Sequence, residues 1–224
     1  VQMSESRAMI QEELRITAPE DQPVLPPGTW PKQGAWTIAD WEQLPEDGNR
    51  YELIDGVLYV TSVPSPSHQW TSDSLVFLLR SHLGRTQPPV GLLFSATGVI
   101  LPTGPVIPDL VYLHMRNQHI LTDKRMEGVP DLLVEIASPG TAAYDRREKQ
   151  DAYARSGVPE YWWVDPDSRT VEVLILEQTG RYRPHKLVER RSPIPSVQLP
   201  SLDFPVESIF MPPDLLATMR REAT

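Results

Sequence analysis

The sequence predicts an α/β sandwich built on a mixed sheet. Three observations carry this. A helical apolar stripe at residues 68–83 and a second helical segment at 142–156 are set among several short β-branched runs, in an order too irregular for an alternating parallel barrel. Residues 132–137 are apolar throughout except for one carboxylate, which suits a central strand covered on both faces. Asp55-Gly56 joins two apolar runs, a strong hairpin signal because both residues tolerate positive φ, so antiparallel pairing is also expected.

Taken in order, residues 4–15 have helical composition. Five prolines follow, Pro19, Pro23, Pro26, Pro27 and Pro31, and read as an extended linker. Residues 1–35 are therefore expected to form an arm, 36–212 the compact domain and 213–224 a tail. Thr37 is placed to cap a short helix through Trp41 and Leu44. The hairpin occupies 51–54 and 57–62. In the helix at 68–83, Leu75, Val76, Leu78, Leu79 and Leu83 make the apolar stripe, and Gly84 ends it. Strands are expected at 92–94, 99–101, 106–113 and 132–137. Ser138-Pro139-Gly140-Thr141 is a turn. The next helix, 142–156, has Gly157 where a glycine just past a helix end belongs. A strand at 160–164 stops at Asp165-Pro166-Asp167, an antiparallel hairpin takes 171–176 and 182–188, and 206–210 is a short apolar anchor.

Composition narrows the function. With 224 residues, 40% hydrophobic and 23% charged, the chain can bury a substantial core. It has no cysteine, which excludes disulfides, thiolate catalysis and cysteine-bound zinc and fits a reducing cytoplasm. No apolar run approaches the roughly 20 residues that span a bilayer, and residues 1–13 lack the plan of a signal peptide. The net charge of −9 counts against a protein that coats nucleic acid, but not against a nuclease, whose acids are partly neutralised by metal. One basic stretch stands out: Arg181, Arg183, Lys186, Arg190 and Arg191. It is either a solvated strand and turn or an edge that contacts phosphate, with Arg181, Arg183 and Lys186 as its candidates.

The candidate site lies in two apolar runs, 107–111 and 131–136. Asp109 and Glu135 sit in them 26 positions apart (135 − 109). Removing a carboxylate from water is costly unless a cation or hydrogen bonds compensate, so two on separate strands suggest a shared cation. Magnesium accepts two carboxylates plus a backbone carbonyl, which Ile136 could supply, and keeps several waters. Lys149, on the following helix, could orient the attacking water or stabilise the charge of a phosphodiester transition state. Glu52, on the first strand, is a candidate accessory ligand. Each residue also has a plainer explanation. Asp109 could cap a turn, Glu135 could meet an interior arginine, and Glu52 could pair with Arg50. Lys149 lies among Arg146, Arg147, Glu148 and Asp151, which reads as a solvated helix face. His68 reads as a cap or surface residue, and Tyr144 and Tyr153 as packing residues.

At these residues the chain resembles the Uma-type restriction endonucleases, a branch of the PD-(D/E)XK nuclease superfamily. The matching segments are 44–56 (LPEDGNRYELIDG), 64–68 (PSPSH), 108–111 (PDLV), 130–139 (PDLLVEIASP), 144–149 (YDRREK) and 157–166 (GVPEYWWVDP). The resemblance covers about residues 37–210 and implies a restriction-endonuclease-like fold, a central mixed β-sheet flanked by helices. It implies that Asp109 is the PD aspartate, Glu135 the (D/E) residue and Glu52 an accessory acid. The superfamily lysine belongs two residues after Glu135, where this chain has Ala137, so Lys149 is its implied substitute. The implied activity is a Mg2+-dependent DNA endonuclease, with Mn2+ as an alternative ion. The competing reading is a non-catalytic nucleic-acid-binding or assembly module on the same fold. A homodimer or higher homo-oligomer is expected, because one site cuts one strand and the arm carries Met9, Ile10 and Leu14, which need a surface to cover them.

Overall fold

Local rules set the elements. In the computed structural model, which describes residues 30–61, 64–85, 88–138 and 142–222, Thr37 and Asp40 form a reciprocal capping box over the four-residue helix α1 (Ile38–Trp41). Strands β1 (Arg50–Ile54) and β2 (Val57–Thr61) pair around Asp55 and Gly56, whose φ values are 49° and 79°. Helix α2 (Pro66–Leu83) starts two residues earlier than expected, because Ser65 accepts the His68 N–H and Pro66 fills the first turn, where no donor is needed. The arm helix at 4–15, the prolines from Pro19 to Pro27, residue 62, the turn at 139–141 and the side chain of Tyr144 lie outside the described residues.

Six strands make the main sheet: β3 (Gly91–Ser95), β6 (Leu110–His114), β8 (Leu132–Ile136), β9 (Glu160–Asp165), β10 (Thr170–Leu176) and β11 (Tyr182–Glu189). Their order is β11-β10-β9-β8-β6-β3. Within it only β8 and β9 pair in parallel, so the sheet is mixed. A smaller sheet, β5-β4-β7, joins β4 (Val99–Leu101), β5 (Gly104–Val106) and β7 (Met126–Glu127). Helix α3 (Ala142–Ser156) ends in a Schellman motif at Gly157 (φ 87°), with Gly157 N–H on the Ala154 carbonyl and Val158 N–H on that of Tyr153. Helix α4 (Pro213–Glu222) occupies most of the expected tail.

The strand expected at 106–113 is two strands. β5 ends at Val106 in the small sheet and β6 begins at Leu110 in the large one. Pro108 has no N–H for a ladder, and Asp109 leaves its side chain to bond elsewhere, so the chain changes sheets across Ile107-Pro108-Asp109. Asp109 therefore precedes its strand and does not lie within it.

β8 is covered on both faces. Leu132, Val134 and Ile136 join one core with Leu75 and Leu79 of α2 and with Val206, Ile209 and Phe210. Leu133 joins the other with Tyr153 of α3, Ile54 of β1 and the small sheet. Alternation places Glu135 on this second face. Gly104 fixes the small sheet against β1: a Cβ there would lie 2.1 Å from the Leu53 carbonyl oxygen. That close approach brings Ile107 within reach of Glu52.

Candidate active site

Glu52, Asp109, Glu135 and Lys149 come from β1, the β5–β6 connection, β8 and α3, and the fold brings them together. Glu52 is 2% exposed and Glu135 6%. The Lys149 ammonium lies 2.8 Å from Glu52 Oε2 and 3.1 Å from Glu135 Oε2. Tyr153 is one helical turn beyond Lys149 on the same face of α3, and its hydroxyl donates to Glu135 Oε1 at 2.5 Å. Ile107 N–H donates to Glu52 Oε1 at 2.8 Å.

Asp109 is held differently. Its Oδ2 accepts from Ile136 N–H at 2.8 Å and lies 3.1 Å from His68 Nε2. Its Oδ1 faces Arg50 Nη1 at 3.9 Å, an ion-pair distance too long for a hydrogen bond. At Ile136, then, the observed contact to Asp109 runs through the amide N–H. The basic residues Arg181, Arg183 and Lys186 stand elsewhere, on and beside edge strand β11, with Arg183 paired to Glu177 at 2.9 Å. Two strands separate β11 from β8, which sets it roughly 14 Å away across the sheet.

The electrostatics are crowded. Burial pushes the Glu135 carboxyl up to about 8; Lys149 opposes this, and Asp109 and Glu52 add to it. Burial pulls the Lys149 ammonium down, but Glu135, Glu52 and Asp109 more than reverse it, and its pKa lies above that of an ordinary lysine. Tyr153 is raised by burial and then by Glu135 and Glu52, so its hydroxyl stays protonated and donates. Two buried carboxylates thus share one ammonium, and a third, Asp109, adds its charge nearby with Arg50 at the rim.

Lys149 departs from the solvated helix face expected of it. Its side chain is 15% exposed and bridges two buried acids. Among the described residues, no three histidine, aspartate or glutamate side chains are already arranged to hold an ion. Two further residues depart from expectation. His68 is neither a cap nor a surface residue; its side chain is buried against Asp109. Tyr153 packs as expected but also bonds Glu135, and its spacing four residues after Lys149 is the signal in the sequence that could have found it. His68 is marked only as the last residue of the matching segment 64–68, since nothing local to α2 says which way its first turn faces.

A mixed sheet flanked by helices, with an acidic cluster around the end of its central strand, defines a restriction-endonuclease-like α/β protein. A family model described as "Uma2: Putative restriction endonuclease" matches residues 38–207, and the chain belongs to that family. Among solved structures, the chain resembles a "putative nuclease belonging to DUF820" from Anabaena variabilis ATCC 29413. The two are 19% identical with a TM-score of 0.66, over 78% of this chain and 97% of the other; at that identity the likeness speaks for the fold. No curated protein matches. No helix among the described residues is long and apolar enough to cross a membrane.

Proposed function

We propose that this chain is a divalent-metal-dependent endonuclease that hydrolyses phosphodiester bonds of DNA. The observation that carries the reading is the excess of carboxylate over cation in a buried cluster. A site of this kind is expensive unless a further cation completes it. The donors are hard oxygens, which suit Mg2+, with Mn2+ as the alternative. Asp109 and Glu135 would hold the ion, with the Ile136 carbonyl and Glu52 as additional donors. The ion supplies charge neutralisation at the phosphate and a more acidic water.

The chain's own residues do the rest. Ile107 N–H and the ammonium of Lys149 fix Glu52, and Tyr153 and Lys149 fix Glu135. Glu135 gives up its proton when the site loads. Lys149, held charged by its acids, presents a positive group to the phosphate as negative charge develops there. In this reading Arg181, Arg183 and Lys186 form a separate edge that holds the DNA backbone away from the site of cleavage. A homodimer or higher homo-oligomer would provide the two sites that cutting a duplex in one encounter requires; light scattering at micromolar concentration tests it, and a monomer would remove that element. The cysteine-free composition suits the cytoplasm.

One observation favours a second reading. The Lys149 ammonium already stands between Glu52 and Glu135, as it would in a purely structural ion cluster. On that reading the chain is a non-catalytic nucleic-acid-binding or assembly module. Incubation with supercoiled plasmid and with single-stranded DNA, in Mg2+, Mn2+ or EDTA, separates the two. The nuclease reading expects cleavage only with metal and a loss of about three orders of magnitude in Glu135→Gln. Binding without cleavage under every condition would establish the second.

A further inference from the structure

We infer that His68 is a positioning residue for Asp109, which it holds so that one carboxylate oxygen is fixed and the other stays open. This rests on the divalent-site reading above. His68 lies in the first turn of α2, and its side chain is buried at 7% exposure. An ionised carboxylate can only accept, so the 3.1 Å contact with Asp109 Oδ2 makes Nε2 the donor. The other ring nitrogen, Nδ1, is buried with no hydrogen-bond partner among the described residues. Among those residues Asp109 is therefore the ring's single polar anchor.

Packing alone would not call for a histidine here. A leucine of similar size would fill the space without leaving a buried nitrogen unpaired. What the imidazole adds is one N–H aimed at Asp109. That N–H and the Ile136 amide both arrive at Oδ2. Two donors from different directions fix the carboxylate's rotation, whereas Oδ1 has only the long contact to Arg50. Oδ1 is thereby kept available to an ion, as outer-shell hydrogen bonds do for ligating carboxylates.

The test is calorimetric titration of Mn2+ into the full chain carrying wild-type His68, His68→Leu or His68→Gln, with melting curves in EDTA for each. Leucine removes the donor; glutamine restores an N–H at about the reach of Nε2. We expect His68→Leu to weaken Mn2+ binding on the order of tenfold or more and His68→Gln to recover it to within about threefold. If the leucine variant does not melt cooperatively, His68→Asn, whose amide stops short of Asp109, replaces it. Wild-type affinity in the donor-less variant would overturn the inference even if its melting temperature fell. So would equal loss in the leucine and glutamine variants. If wild type itself binds no Mn2+, the divalent-site reading fails, and the inference with it. That outcome is distinct, because it appears before any substitution is compared.

Discussion

Glu160 and Glu135 lie on neighbouring parallel strands, both buried, yet they are handled in opposite ways. Glu160 begins β9, fully buried, and the donors that meet it are neutral. Trp162 Nε1 approaches at 2.6 Å, Ser196 Oγ at 2.7 Å, and the Val197 and Gln198 amides at 2.9 and 2.8 Å. One carboxylate is met by four fixed dipoles, and the result ties the loop at 196–198 to the sheet. Glu135, near the other end of β8, shares one ammonium with Glu52 and feels Asp109 as well. The first arrangement is complete as it stands. The second is short of positive charge, and the proposed cation site rests on that difference.

Substituting each acid in turn should split stability from activity. Glu160→Ala leaves several buried donors unsatisfied and should lower the unfolding free energy by about 3 kcal/mol or more, with cleavage per folded molecule unchanged. Glu135→Gln should cost metal-dependent cleavage about three orders of magnitude while leaving the metal-free fold as stable as wild type or more so. Urea melts and plasmid nicking on both variants measure this; an inactive but fully stable Glu160→Ala would break the comparison.

Lys149 sharpens it. Removing it strands two buried acids, so Lys149→Ala in EDTA at pH 8 should destabilise by about 3 kcal/mol. A solvated lysine would cost no more than about 0.5 kcal/mol. A chemical-denaturation curve near the smaller figure would return Lys149 to the surface.

The pH dependence follows from Glu135. Its folded pKa, about 8, lies above its ordinary value of 4.5. Between those pH values the folded chain binds more protons than the unfolded one. The stabilising contribution is therefore complete below about pH 4.5 and is lost as pH rises through 8. In EDTA, wild type should lose roughly 4 kcal/mol more than Glu135→Gln between pH 5 and pH 8.5. Parallel pH profiles for the two proteins would remove Glu135 as the titrating group.

The smallest effect belongs to the distant edge. Replacing Arg181, Arg183 and Lys186 with alanine should weaken DNA binding and flatten its salt dependence, by about 0.9 in log–log slope for each phosphate that is no longer neutralised. An unchanged slope would mark these residues as solvated charge.

Much of the architecture was legible because local chemistry decides it. Asp55-Gly56 makes a two-residue turn because both residues reach positive φ, and Gly157 ends α3 for the same reason. The apolar run of β8 fits a strand with a core on each side. What the sequence hid is long-range. The β-branched run through 106–113 masks a change of sheet that only Pro108 hints at. Lys149 sits among charged neighbours and looks solvated, since helical periodicity records faces and not what another strand places against them. The surroundings of His68 and Glu160 depend on partners 41 and 36 to 38 residues away.

The central claim is that the cluster at Glu135 takes a divalent cation and the nest at Glu160 does not. Calorimetric titration of Mn2+ into wild type and Asp109→Ala at pH 7, in two buffers of different ionisation enthalpy, tests it directly. Wild type should bind one ion per chain, with proton release as Glu135 ionises, and binding should be abolished or strongly weakened in Asp109→Ala. Equal binding by both proteins, or none by either, would contradict it.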